Sequence, residues 1–189
     1  MEGVLASVRQ YILEKVNEGF YSREEITEDA EEYVNDEFER DDLDSIIEVT
    51  VDELLEAHSR LQETWNQPTD CDKLDIAFAT LDADGIVARQ NFEDCLNCGL
   101  AMIWGEIDKA KEQHQVEGYV FYHWQDTERA ARGEGLFLAF GSVVEDESRL
   151  VQTGWRIVQA IHQAGLEVDW TGSPNNRLLV RMDWKRRRV

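Results

Sequence analysis

At 189 residues, with 42% hydrophobic composition and six tryptophans, the chain can hold one domain with a sizeable core, or one domain and a small appendage. Its formal charge of −21 disfavours direct contact with nucleic acid or an anionic membrane surface, and no apolar run is long enough to span a bilayer. Three cysteines, an odd number, argue against a secreted disulfide framework and suit a reducing cytosol, so a cytoplasmic protein is expected.

The charge is uneven. Residues 1–70 hold 21 acidic and 5 basic side chains, a net −16, whereas residues 71–189 carry −5. Such a region is either a solvated surface or one that docks a basic partner, or that mimics nucleic acid for one.

Three amphipathic helices are expected in the first third. Leu5, Val8, Ile12 and Val16 recur at helical spacing over residues 3–18, without the basic leader of a signal peptide, and Gly19 stops the run. Ser22 with Glu25 forms a capping box that opens a second helix faced by Ile26, Ala30, Tyr33, Val34 and Phe38. Thr50 with Glu53 repeats the device ahead of Leu54, His58, Leu61 and Trp65, and Pro68 closes that stretch. His58 lies on the apolar stripe with no second donor at a matching offset, so it reads as a partly buried helix residue. Residues 39–49 can add a short helical turn.

From residue 70 the pattern changes to that of a sheet. Residues 74–81 alternate apolar and polar side chains and read as a strand, continued or paired by residues 86–89 across an Asp-Gly turn. A long helix over 93–115, a strand over 118–124, a short helix, a strand over 135–143, a helix over 146–165 and a hairpin of 166–170 with 177–184 follow. The expected fold is α+β: an acidic helical region over 1–68, then a sheet domain over 69–189, antiparallel or mixed, with helices on one face.

Little of the chain looks like chemistry. Aligning Gly85 with the sixth position of a calcium loop leaves Thr80 and Asn91 at the first and twelfth positions, so the closing glutamate is missing. Cys95 and Cys98, three apart and followed by Gly99, invite three readings. The first is a redox pair at a helix N-terminus, where the dipole lowers a thiol pKa, although Glu93 and Asp94 would raise it. The second is part of a zinc site, for which Cys71 and His123 or His114 are the remaining donors. The third is simple burial on one helix face. Elsewhere, His123 at a strand end and Asp126 three residues on are the candidate acid–base pair, though Asp126 is also explained as a helix cap. No nucleophile elbow, phosphate-binding glycine loop or His-Glu-x-x-His motif occurs, so no catalytic constellation is complete. The basic run Lys185–Arg188 near the C-terminus is expected to pair with the acidic helices or stay in solvent.

The stretches GIVARQNFEDCLNCG, GYVFYHWQDTERA, LFLAFGS and AGLEVDWTGSPNNRLLV resemble an uncharacterised family of bacterial proteins carrying a domain of unknown function. The likeness runs across most of the chain and is strongest from Asp70 onward. It implies that Cys95, Cys98 and Gly99, and the run His123, Gln125, Asp126 and Thr127, are the family's hallmark motifs. A further cysteine often precedes the pair in that family; here the position is Asp94, which weakens any metal site that needs a sulfur there. The resemblance carries no established activity.

The reading that follows is a non-catalytic cytosolic protein that binds a protein partner through its acidic surface, without a cofactor. The alternative is a thiol- or zinc-dependent protein centred on Cys95, Cys98 and His123. A third is a structural subunit of a homo-oligomer with tryptophans at its interface.

Overall fold

The computed structural model describes residues 2–38 and 43–188, which form two compact units: residues 2–38, 43–66 and 185–188, and residues 67–184. Part of the expected turn over 39–49 lies outside the described residues. None of the described helices is long and apolar enough to cross a membrane.

The first unit packs α1 (Glu2–Glu18), α2 (Arg23–Phe38) and α3 (Asp44–Gln62) against one another. Their heptad-like apolar positions supply the core, in which Ile12, Val16, Ile26, Ala30, Ile47 and Val51 are fully buried. The capping box at Ser22 is present: Glu25 N–H donates to Ser22 Oγ at 3.1 Å and Ser22 N–H to Glu25 Oε2 at 2.7 Å. The one expected at Thr50 is not. Helix α3 begins two turns earlier, and Thr50 Oγ1 donates back along it to the Ile46 carbonyl at 2.7 Å. His58 is buried against the edge of Trp65. The basic run near the C-terminus lies on this unit. Arg188 donates to the carbonyls of Val16, at 3.2 Å, and Tyr21, while the Arg186 guanidinium stacks 4.4 Å from the Phe20 ring centroid.

The second unit runs α4 (Asp70–Ala83), β1 (Ile86–Arg89), α5 (Leu96–Lys111), β2 (Gly118–Phe121), α6 (Trp124–Ala131), β3 (Leu136–Ser142), α7 (Glu147–Gln163), β4 (Glu167–Asp169) and β5 (Leu178–Arg181). The sheet is mixed, as expected, with order β1-β2-β3-β5-β4: β1 and β2 are parallel and every other pair is antiparallel. A parallel pair needs a crossover, and α5 supplies it.

Two expectations are corrected here. Residues 74–81 belong to α4, not to a strand: Leu74, Ala77, Phe78 and Leu81 are its buried face, and Thr69 with Asp72 caps it. The Asp-Gly turn therefore ends a helix rather than joining two strands, with Gly85 taking the left-handed φ of 82° that such an ending favours. Helices also cover both faces of the sheet rather than one. Val87, Tyr119 and Phe121 pack on Ile103 and Ile107 of α5, whereas Gly118, pointing the other way, faces Thr153 of α7.

Candidate functional site

Because β1 and β2 are parallel, residues 90–95 and 122–123 leave them at the same edge of the sheet. Each segment leads into a helix, so the N-termini of α5 and α6 come to that edge, the place where open α/β sheets commonly bind ligands. The two segments are tied together. Phe92 N–H donates to the Tyr122 carbonyl at 2.8 Å, and Trp124 N–H to the Glu93 carbonyl at 3.0 Å. Asn91 and Glu93 hold φ values of 46° and 61°, a left-handed conformation that costs a non-glycine residue about 1–3 kcal/mol. Thr127 Oγ1, donating to Asn91 Oδ1 at 2.8 Å, helps to hold the first of them.

Cys95 is the N-cap of α5. Its backbone is extended and its sulfur accepts the Cys98 N–H at 3.3 Å. Both thiols are free and half-buried, so neither is a core residue; Cys71, on α4, is. The Cys98 thiol and the Cys98 N–H both donate to the Cys95 sulfur and hold its pKa below the ordinary thiol value, with Asp94 pushing the other way. Cys98, as the donor, is pushed up. Asp94 thus does push the Cys95 thiol up, as expected, but the donors that the helix N-terminus brings to its sulfur outweigh it. Gly99 lets this first turn press on the sheet, since a Cβ there would lie 2.4 Å from Cε2 of Phe121.

His123 is the N-cap of α6 and only 4% exposed. Its Nε2 lies 3.1 Å from Asp126 Oδ2, and its backbone N–H donates to the same oxygen at 3.3 Å. Arg177, just before β5, clamps that carboxylate from the other side: Nη1 donates to Oδ1 at 3.0 Å and Nη2 to Oδ2. Nη2 also donates to the Phe137 carbonyl at 2.8 Å. Burial lowers the His123 pKa; Asp126 opposes that push, and Arg177 and Arg129 add to it. The imidazole is therefore neutral near pH 7, and this cluster has almost no surface from which to exchange a proton with a substrate. Arg177 has no counterpart in the motif reading, since nothing in the spacing links it to a carboxylate 51 residues earlier.

Among the described residues, no group of three or more His, Cys, Asp or Glu side chains is placed to hold a metal ion. Cys71, Cys95, Cys98 and His123 thus do not come together as one ligand set, and His114 is exposed beyond the C-terminal end of α5. What the structure does bring together is the cysteine pair, and separately His123, Asp126 and Arg177.

No curated protein and no solved structure matches the chain. The family model for a domain of unknown function, DUF6891, matches residues 1–188, in keeping with the resemblance to an uncharacterised domain family. The chain belongs to the DUF6891 family of domains of unknown function.

Proposed function

We propose that this protein carries out thiol–disulfide exchange through Cys95 and Cys98. The observation that supports this reading is the position of Cys95: an N-cap thiol, half-exposed, whose sulfur accepts the N–H of a second cysteine one turn on. In the exchange, the Cys95 thiolate attacks one sulfur of a disulfide substrate and forms a mixed disulfide, releasing the other half as a thiolate. Cys98 then gives up its proton and attacks the Cys95 sulfur, which releases the remaining half as a thiolate and leaves a Cys95–Cys98 disulfide. The substrate is the oxidant, gaining the two electrons that the pair loses, and a second dithiol of matching potential returns the pair to its reduced state. His123 and Asp126, both buried, and the half-buried Arg177 that pairs with Asp126 support the scaffold of this edge and take no part in the exchange.

Alkylation of the reduced full-length chain by iodoacetamide, followed by mass spectrometry across pH, tests this. Cys95 should react first, with an inflection below the value of about 8.5 for a free thiol, and Cys98→Ser should move that inflection upward. Glutathione disulfide should convert the pair to an internal disulfide. Two thiols that both react as free cysteine would overturn the reading. So would near-stoichiometric zinc in protein purified without chelator and lost in Cys98→Ser, which would assign the pair to a metal.

A second reading has its own observation. Glu24, Glu28, Glu32 and Asp36 form an exposed stripe of carboxylates four residues apart along α2. Like charges at that spacing destabilise a helix, so the stripe carries a cost and suits docking of a basic protein surface. Association through it should slow steeply as salt is raised, and salt-indifferent binding of a basic partner would remove this reading.

A further inference from the structure

Where β3 runs past Leu138 its pairing with β5 ends, and a cavity of about 580 Å³ opens beside its last residues. Three aromatic side chains line it: Trp104 from α5, Tyr119 from β2 and Phe140 from β3. Trp104 and Tyr119 meet edge to face with centroids 6.2 Å apart. The rim carries Glu145, Asp146 and Glu147, and no Lys, Arg or His is among the described residues that line the cavity. Asp146 is committed to capping α7, accepting from Arg149 N–H at 3.0 Å, whereas Glu145 and Glu147 are exposed and form no ion pair among the described residues.

Tyr119 adds a polar group to this lining. It is 8% exposed, yet its hydroxyl has no hydrogen-bond partner among the described residues. The ring reaches over Gly141, another lining residue, so closely that a Cβ there would lie 2.4 Å from the hydroxyl oxygen. The hydroxyl itself stays open to the cavity, so a bound molecule can accept from it or donate to it.

We infer that this cavity binds an organic ammonium ion. Aromatic faces attract a cation through their quadrupole, and most strongly where the site is partly desolvated. The carboxylates at the rim supply long-range attraction for a cation and repel an anion. A hydroxyl or carbonyl carried by the same ligand would satisfy Tyr119. This site uses none of the thiol residues and stands whether or not the exchange chemistry does.

The test uses choline and its uncharged carbon isostere, 3,3-dimethylbutan-1-ol, titrated into the full-length protein while the indole N–H signals are followed by NMR. Choline should shift the Trp104 signal saturably and the isostere should not. Trp104, 43% exposed, can be replaced without disturbing a core, and Trp104→Ala should weaken choline binding about tenfold. The Glu145→Gln, Glu147→Gln double variant, which leaves every aromatic in place, should weaken it several-fold and flatten its salt dependence. An equal response to the isostere would make the cavity a neutral apolar site. That outcome, no saturable shift with choline, or unchanged choline binding in both variants would overturn the inference.

Discussion

At Asp126 a single carboxylate ties the start of α6, through His123, to the entry of β5, through Arg177, and the same guanidinium donates to the Phe137 carbonyl near the start of β3. Removing one charge of a buried, hydrogen-bonded pair costs more than the pair contributes, because the survivor is left desolvated and alone. Asp126→Asn is therefore expected to lower stability to urea by on the order of 3 kcal/mol, and Arg177→Met in the same chain should return part of that loss. Equal unfolding midpoints for wild type and Asp126→Asn would contradict the ion network. Sequence alone reaches Asp126 as a helix cap and as the possible acid–base partner of His123, but not as the partner of Arg177. Its partner comes from the far end of the chain, and topology rather than spacing brings the two together. The cysteines divide in the same way. Their spacing shows that they share the first turn of a helix, but the direction of the Cys95 pKa depends on which donors face its sulfur, and that is a property of the folded N-cap.

Among the elements, α4 shows why a strand reading fails. Residues 74–81 satisfy both periods at once: alternation puts Leu74, Ile76 and Phe78 on one face, while helical spacing selects Leu74, Ala77, Phe78 and Leu81. Burial decides for the helix, since Ile76 is 59% exposed and the helical set is buried. The deciding signal lies outside the eight residues, in the Thr69–Asp72 capping box directly after Pro68. Thr69→Ala should accordingly destabilise the second unit by about 1 kcal/mol, measured as a shift in the urea midpoint at constant slope. No shift would mean that packing alone sets this helix start. The similar Thr-x-x-Glu pattern at Thr50, with a glutamate in place of Asp72, marks no helix start, because Leu43 and Ile47 already lie in the core and α3 is committed before Thr50 is reached. A capping motif marks a start only where no apolar face runs through it. The strands beyond residue 117 and α7 were legible because their apolar runs are bounded by glycines and turn residues that leave one period open.

For the whole molecule, the α+β class follows from a change of period, whereas charge alone points the basic run near the C-terminus toward the acidic helices or solvent without saying what it bonds. Lys185–Arg188 are grouped with the first unit rather than with the strand they follow. The tie is specific: Arg188 donates to the carbonyls of Val16 and Tyr21 at the end of α1 and just beyond it, and its backbone N–H donates to Gln62 Oε1 at 3.1 Å at the end of α3. The Val16 carbonyl lies in the last turn of α1, where carbonyls lack partners within the helix, so a cation there both satisfies an orphan acceptor and opposes the negative end of the dipole. Ending the chain at Trp184 removes these bonds together with the stack of Arg186 on Phe20. Hydrogen bonds from a charged donor contribute about 1.5–3 kcal/mol, so the truncated protein should lose on the order of 10 °C in the melting of its helical unit. Salt separates two causes of that loss. If the tail acts only as four positive charges near an acidic surface, 0.5 M sodium chloride should erase the difference from wild type, because exposed charges are screened within a few ångströms at that strength. Bonds to carbonyls and packing on an aromatic ring do not screen away, so most of the difference should survive in high salt. A truncated chain that melts like wild type at both ionic strengths would show that the helices stand without the tail.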